Sequence, residues 1–299
     1  MPHLVLVGST ASGKSALAME LARRLGDVEL VSADSMQVYR GMDIGTAKPT
    51  PDDQAEVPHH LIDLADPSED YSVARFQADA TAAIAGIEAR GRRALVVGGT
   101  GLYVQAVVDG LSLPGEWPGL RAELEALPAA DLHRRLADVD PLAASRIEPG
   151  NTRRLVRALE VSLGSGRPFS SFGPGLGAYP PTSRFRLAGV WLPRPAVGAR
   201  IVARYREQLA GGFLDEVRRL APVMSRTARQ ALGYRELLAH LAGELSLDEA
   251  VDAAVRRTRE FARRQRAWFR RDPRITWFGG PGNPVDLLPA LLGDWSGKT

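Results

Sequence analysis

Residues 8–15 read Gly8-Ser9-Thr10-Ala11-Ser12-Gly13-Lys14-Ser15, and this spacing of glycine, lysine and hydroxyl suits one task, holding a phosphate. Glycines let the backbone curl until several N–H groups point at one anion. A helix beginning near Lys14 adds the partial positive charge of its N-terminus. Lys14 contributes a full charge, and the Ser15 hydroxyl is placed to ligate magnesium. The apolar run Leu4-Val5-Leu6-Val7 leads straight into the loop, which is the strand–loop–helix setting the motif requires. A di- or triphosphate ligand follows.

Two further chain segments offer chemistry. Asp34 is the first acid after the apolar stretch Val28–Ala33, and it reads either as a turn or cap residue or as a base that hydrogen-bonds an attacking group. Ala94–Val97 runs into Gly98-Gly99-Thr100-Gly101, where nucleotide hydrolases usually place a magnesium-binding or water-orienting acid. Here glycines allow close backbone approach and Thr100 offers a hydroxyl. The adjacent His59 and His60 project differently and make poor joint metal ligands, so a structural role is expected for them. No lysine follows an asparagine, which argues against guanine recognition of the common GTPase kind.

From Arg256 to Arg271 the chain carries eight arginines and the single acid Glu260. At about 100° per residue the arginines share one half of a helix, with Val255, Phe261, Ala262, Trp268 and Phe269 opposite. Such a ridge calls for an anionic partner, and a nucleic-acid backbone suits it better than a small phosphate. Arg153-Arg154-Leu155-Val156-Arg157 is a second basic element.

The elements that must position these groups alternate at first. Strands are expected at His3–Val7, Val28–Ala33, Ala94–Val97 and Phe185–Leu192, and helices at Lys14–Leu25 and Val73–Ala89. That order predicts an α/β fold, a phosphate-loop core with a parallel sheet flanked by helices. Helical patterns at Leu120–Leu127, Asp131–Leu136 and Thr152–Leu163 predict a helical insertion over 113–183. It would close with the Gly-, Pro- and Ser-rich connector Ser165–Ser183. The core would comprise 1–112 and 184–299, helical throughout from Pro195 to about Arg271.

Composition sets the outer limits. A chain of 299 residues, 44% hydrophobic, can bury a large core, and no run approaches the ~20 apolar residues of a membrane span. With no cysteine there is no disulfide, thiolate zinc site or cysteine nucleophile. The N-terminus lacks a signal-peptide pattern, and a cytoplasmic location is expected. Net charge is +3, and all but three of the 38 basic residues are arginine.

In order along the chain, these blocks resemble the tRNA dimethylallyltransferases, also called isopentenyl-tRNA transferases. The resemblance spans Gly8–Ser15, the specific block Asp34–Pro49, Pro58–Asp63, Val97–Tyr103, Arg153–Val161, Arg229–Arg235 and Arg263–Arg270. It implies transfer of a dimethylallyl group from dimethylallyl diphosphate to N6 of the adenosine 3'-adjacent to the tRNA anticodon, in tRNAs reading codons that begin with U. Gly8, Ser9, Thr10, Ala11, Ser12, Gly13, Lys14 and Ser15 would hold the diphosphate, with Mg2+ on Ser15. Asp34 would take the N6 proton and Thr100 would position the reacting centre. Asp34 and Thr100, with Ser35, Met36 and Gln37 on the approach of the base, would touch the tRNA. The resemblance also implies tRNA contacts from Arg121, from Arg153, Arg154, Leu155, Val156 and Arg157, and from Arg229, Gln230, Gly233, Tyr234 and Arg235. The ridge would add Arg263, Arg264, Gln265, Arg266, Trp268 and Arg270. It implies a monomer that binds the anticodon stem-loop, with no membrane partner. Ser9 stands where the family commonly has Pro, and Asn151-Thr152 where Asn-Asp is usual. From the residues themselves two other readings stay open. One is a small-molecule kinase using ATP, which has no need of the ridge. The other is an RNA-binding protein switched by a nucleotide, against which the missing Asn-Lys pair and the unacidic third strand count.

Overall fold

The computed structural model describes residues 1–173 and 175–296. Its strands are β1 (His3–Gly8), β2 (Val28–Ala33), β3 (His59–His60), β4 (Arg93–Gly98), β5 (Phe185–Trp191) and β6 (Ile275–Gly279). The helices, in chain order, are α1 (Lys14–Leu25), α2 (Pro51–Glu56), α3 (Val73–Ala89) and α4 (Gly101–Val108), then α5 (Pro118–Glu125), α6 (Ala129–Val139), α7 (Pro141–Arg146) and α8 (Thr152–Ser165). They continue with α9 (Arg194–Ala210), α10 (Phe213–Leu220), α11 (Tyr234–Leu241), α12 (Leu247–Phe269) and α13 (Leu288–Ser296). The chain divides into two units, 1–109 with 179–299, and 110–178.

In the first unit the six strands pair in the order β3-β2-β4-β1-β5-β6, and every pairing is parallel. β1 and β2 are buried along their whole length, as strands covered on both faces must be. Alternate residues serve opposite faces. Leu4 and Leu6 pack with Leu17 and Leu21 of α1 and with Leu291 and Trp295 of α13. Val5 and Val7 face the larger core, shared with α3 and α9–α12. Because the register pairs Ala33 and Val7 with Gly98, and Gly8 with Val190, the carboxyl ends of four strands meet at one edge. A Cβ at Gly98 would lie 2.3 Å from the Ala33 carbonyl oxygen, so glycine is required for β4 to close there.

The second unit has its own core, built from Leu124, Leu132, Leu136, Leu155 and Leu159 on α5, α6 and α8. Within the connector Ser165–Ser183 a short 3-10 helix forms at Phe169–Phe172, and Pro174 lies outside the described residues. The first unit resumes at Tyr179, ahead of the expected 184, and Arg274 bonds chain on both sides of the insertion. Its guanidinium is 2.6 Å from Asp109 and 2.8 Å from the Pro180 carbonyl, pairs with Asp272 at 2.7 Å and lies over the Tyr179 ring.

The stretch from Pro195 to Arg271 is not one helical run. Gly212, Gly233 and Gly243 adopt positive φ and divide it into α9–α12, with a 3-10 turn at Ala228–Gln230. β3 and β6 extend the sheet at its two edges, beyond the four strands expected. The adjacent histidines sit in β3. His60 Nε2 lies 2.7 Å from Glu29, and His59 Nδ1 lies 2.7 Å from the Val57 carbonyl. No helix among the described residues is long and apolar enough to cross a membrane.

Candidate active site

The phosphate loop keeps its curl through two left-handed residues, Ala11 (φ 59°) and Gly13 (φ 82°). A hydrogen bond from Ser12 N to Ser9 O, 3.3 Å, closes the turn. Gly13 caps α1 without a side chain, so the first amides of the helix stay available to an anion. The Ser12 hydroxyl is buried and has no hydrogen-bond partner among the described residues. Ser15 is exposed and lines the cavity above the loop.

Lys14 leans back to donate to the Ser9 carbonyl at 3.4 Å. Removal from water pulls its ammonium down to about 8; Asp34 opposes the shift, and Arg204 reinforces it. Arg204, on α9, donates to the Thr10 hydroxyl at 3.3 Å and is itself held below the usual arginine value by burial, against the pull of Asp34. Two cations and one carboxylate thus share one small region.

Asp34 follows β2 directly. Its Oδ1 accepts from Met36 N at 2.9 Å, which fixes the Asp34–Gln37 turn and leaves the second oxygen unengaged by that bond. Thr100, at the end of β4, accepts from Ser35 N at 3.3 Å, so the two sequence-predicted reacting residues are brought together. Gln265 on α12 ties the strand ends to the loop: it accepts from Thr10 N at 2.8 Å and donates to Gly99 O at 2.9 Å. A cavity of about 500 Å³ is lined by Lys14, Ser15, Asp34, Thr100 and Arg204. Arg264 also lines it, as do Ser35, Met36 and Gln37.

The residues expected to touch RNA separate into three groups. Arg153 and Arg154 on α8 are exposed, as are Gln230, Arg235, Arg263, Arg264 and Arg270; Trp268 is half-buried with the Arg271 guanidinium over its ring. A second group is tied to its own unit. Arg121 and Arg157 bind the fully buried Glu160 at 2.9 and 3.0 Å. Arg229 donates to the Met224 and Ala221 carbonyls, and Arg266 lies over Trp191. The third group has no surface to offer: Leu155, Val156, Gly233 and Tyr234 are buried, because they face the helical cores that position the others. Gln265 joins them at 7% exposure, its amide spent on the loop. Within the arginine ridge Arg257 is neutralised by Glu236 at 2.8 Å.

Sequence reasoning missed Arg204, Gln208 and Glu216. None belongs to a contiguous motif. Their signal was a polar side chain on the inner face of an amphipathic helix, since Gln208 and Glu216 are buried at 8% and 4% exposure. Among the described residues no three His, Cys, Asp or Glu cluster as a metal site. A magnesium ion here would rely on the Ser15 hydroxyl, phosphate oxygens and water, which is how such ions are commonly held beside phosphates.

A model of the IPP transferase family matches residues 37–272, and one of isopentenyl transferases matches residues 1–63. A tRNA dimethylallyltransferase of Geobacter metallireducens is 47% identical over 300 residues, 97% of each chain. The full-length tRNA isopentenylpyrophosphate transferase of Bacillus halodurans has been solved, and it matches with a TM-score of 0.73 at 38% identity, over 99% of this chain and 96% of that one. A eukaryotic dimethylallyltransferase solved acting on tRNA matches with a TM-score of 0.79 at 26% identity, over 93% of this chain and 73% of that one. With both family models and near-full-length relatives in agreement, the chain belongs to the IPP transferase family.

Proposed function

We propose that this chain transfers a dimethylallyl group from dimethylallyl diphosphate to N6 of the adenosine 3'-adjacent to the tRNA anticodon, in tRNAs reading codons that begin with U. The observation that carries the reading is the meeting of Lys14, Arg204 and Asp34 on one cavity. Such a set suits a reaction in which negative charge grows on a departing diphosphate while a nearby nucleophile sheds a proton.

In this reading the loop amides, Lys14 and Arg204 hold the diphosphate. As N6 bonds to C1 of the donor, the C1–O bond breaks and its electron pair stays with the diphosphate. Asp34 accepts a hydrogen bond from the N6 amino group and takes its proton. Thr100, bonded to Ser35 N, fixes the distance between the acid and the end of β4. The adenine must leave its stack to reach these groups. When bound on Ser15, Mg2+ would supply positive charge to the leaving diphosphate.

The exposed arginines of α12 and the pair Arg153–Arg154 would track the anticodon stem-loop backbone. The reading takes the chain to act as a monomer, and a tRNA substrate supports a cytoplasmic location. The test is to incubate the protein with unmodified tRNA and either dimethylallyl diphosphate or ATP, then weigh the tRNA. A gain of one isoprenyl unit with the allylic donor alone is the expected result. ATP hydrolysis with unchanged RNA would overturn it.

A further inference from the structure

The carboxylate of Glu216, on α10, is buried and surrounded by donors. Its Oε2 accepts from Asp43 N at 3.0 Å and Ile44 N at 2.8 Å, and its Oε1 accepts from Gly45 N at 3.1 Å and the Tyr234 hydroxyl at 2.5 Å. Four donors fill the acceptor sites of one carboxylate. From the other side Gln208, on α9, donates to the carbonyls of Ile44 and Gly45. Three consecutive peptides are therefore gripped by two helices. Gly45 must be glycine here, since a Cβ would stand 2.2 Å from Phe213 and 2.4 Å from Tyr234.

The grip extends into the cavity. Just past Gly45, the carbonyls of Thr46 and Ala47 receive the Gln37 amide at 3.3 and 3.1 Å, while Gln37 Oε1 accepts from the Ser32 hydroxyl at 2.8 Å. Gln37 ends the turn that Asp34 begins, and Gly45, Thr46 and Ala47 line the same cavity as Asp34. By contrast, among the described residues the hydrogen bonds of Lys14 and Arg204 run to Ser9 and Thr10 of the phosphate loop. We infer that Glu216 and Gln208 are positioning residues for the acceptor side of the site: they set the wall that receives the base and leave donor binding untouched. This rests on the proposed prenyl transfer.

The experiment measures donor and tRNA kinetics separately for the full chain. In Glu216→Gln an amide N–H2 replaces an acceptor among four donors, and kcat/KM for tRNA is expected to fall about tenfold or more, the equivalent of one or two buried hydrogen bonds. The dissociation constant for dimethylallyl diphosphate should stay within about twofold of the wild type, a change too small to represent a lost hydrogen bond. Gln208→Met frees the Ile44 and Gly45 carbonyls without stranding a charge, so it should show the same split at smaller size. If Glu216→Gln fails to fold, Gln208→Met decides. A donor dissociation constant that weakens as much as kcat/KM for tRNA falls would overturn the inference, as would wild-type tRNA kinetics in both variants once rates are expressed per donor-binding site. Failure of the prenyl reading would show separately, as no mass gain with the wild-type chain.

Discussion

In the proposed reading, Lys14 makes the donor site respond to pH. Its ammonium is the form that attracts phosphate, and with its value drawn down to about 8 that form is half lost near pH 8 in the free protein. The expected outcome is a kcat/KM for donor that declines above about pH 8, since this ratio reports ionisations of the free enzyme. A flat profile through pH 9 would mean that the Lys14 ammonium keeps its ordinary value in the site. The sign for stability is opposite. Between about 8 and the unfolded lysine value of roughly 10.4, the unfolded chain binds more protons, so stability rises with pH in that window. Asp34→Ala should lower turnover by roughly 10²- to 10⁴-fold, the usual contribution of a general base, while tRNA binding measured by filter retention stays near the wild type. Normal turnover in that variant would disqualify Asp34. At this scale the sequence spoke clearly where chemistry was contiguous: Thr10, Lys14 and Ser15 of the phosphate loop line one cavity with Asp34 and Thr100. Arg204 was silent because one arginine on α9 looks like any other until the fold sets it against Thr10.

Among the elements, α12 does two jobs with its two faces. Ser246 and Glu249 form a capping box at its start and Arg266 occupies its last turn, so the charge order follows the helix dipole. The inward residues Val255, Ala262 and Phe269 are buried, as the spacing predicted, but the same face also delivers Gln265 to the phosphate loop. Replacing Arg263, Arg264 and Arg266 together by Gln should weaken tRNA binding and flatten its salt dependence by about 0.7–0.9 in log–log slope per lost phosphate contact. Binding titrations at several salt concentrations test this, and an unchanged slope would move the RNA elsewhere. Periodicity placed α1 and α3 at their observed ends, because each is long and amphipathic. It could not reveal β3, whose two residues are too few for a pattern. Nor did it reveal β6: Ile275–Gly279 follows directly on the ridge and its short apolar run carries no period of its own.

For the molecule as a whole, parallel pairing is what turns distant sequence into one site. Phosphate loop, Asp34 and Thr100 follow three strands whose carboxyl ends lie in register, the place where open parallel sheets gather ligands. This much was legible from alternating strand and helix signals. The edges of the insertion were not, because the contacts that hold the chain on either side of it come from a residue far downstream, Arg274, which bonds Asp109 and the Pro180 carbonyl. Arg274→Met would leave the buried Asp109 and Asp272 carboxylates without their cation, and should cost about 3–5 kcal/mol in denaturant unfolding. A loss under about 1 kcal/mol, the value of an exposed pair, would mean the cluster is solvated. Since one guanidinium nitrogen binds both Asp109 and Pro180, the departing and returning chain are already stapled side by side. A short glycine linker in place of 110–178 would therefore span almost no gap. Such a shortened protein should melt cooperatively and still titrate with the allylic donor, while tRNA, left to the arginines of α12 without Arg153 and Arg154, should bind more weakly; that outcome would make the insertion an exchangeable module for choosing RNA.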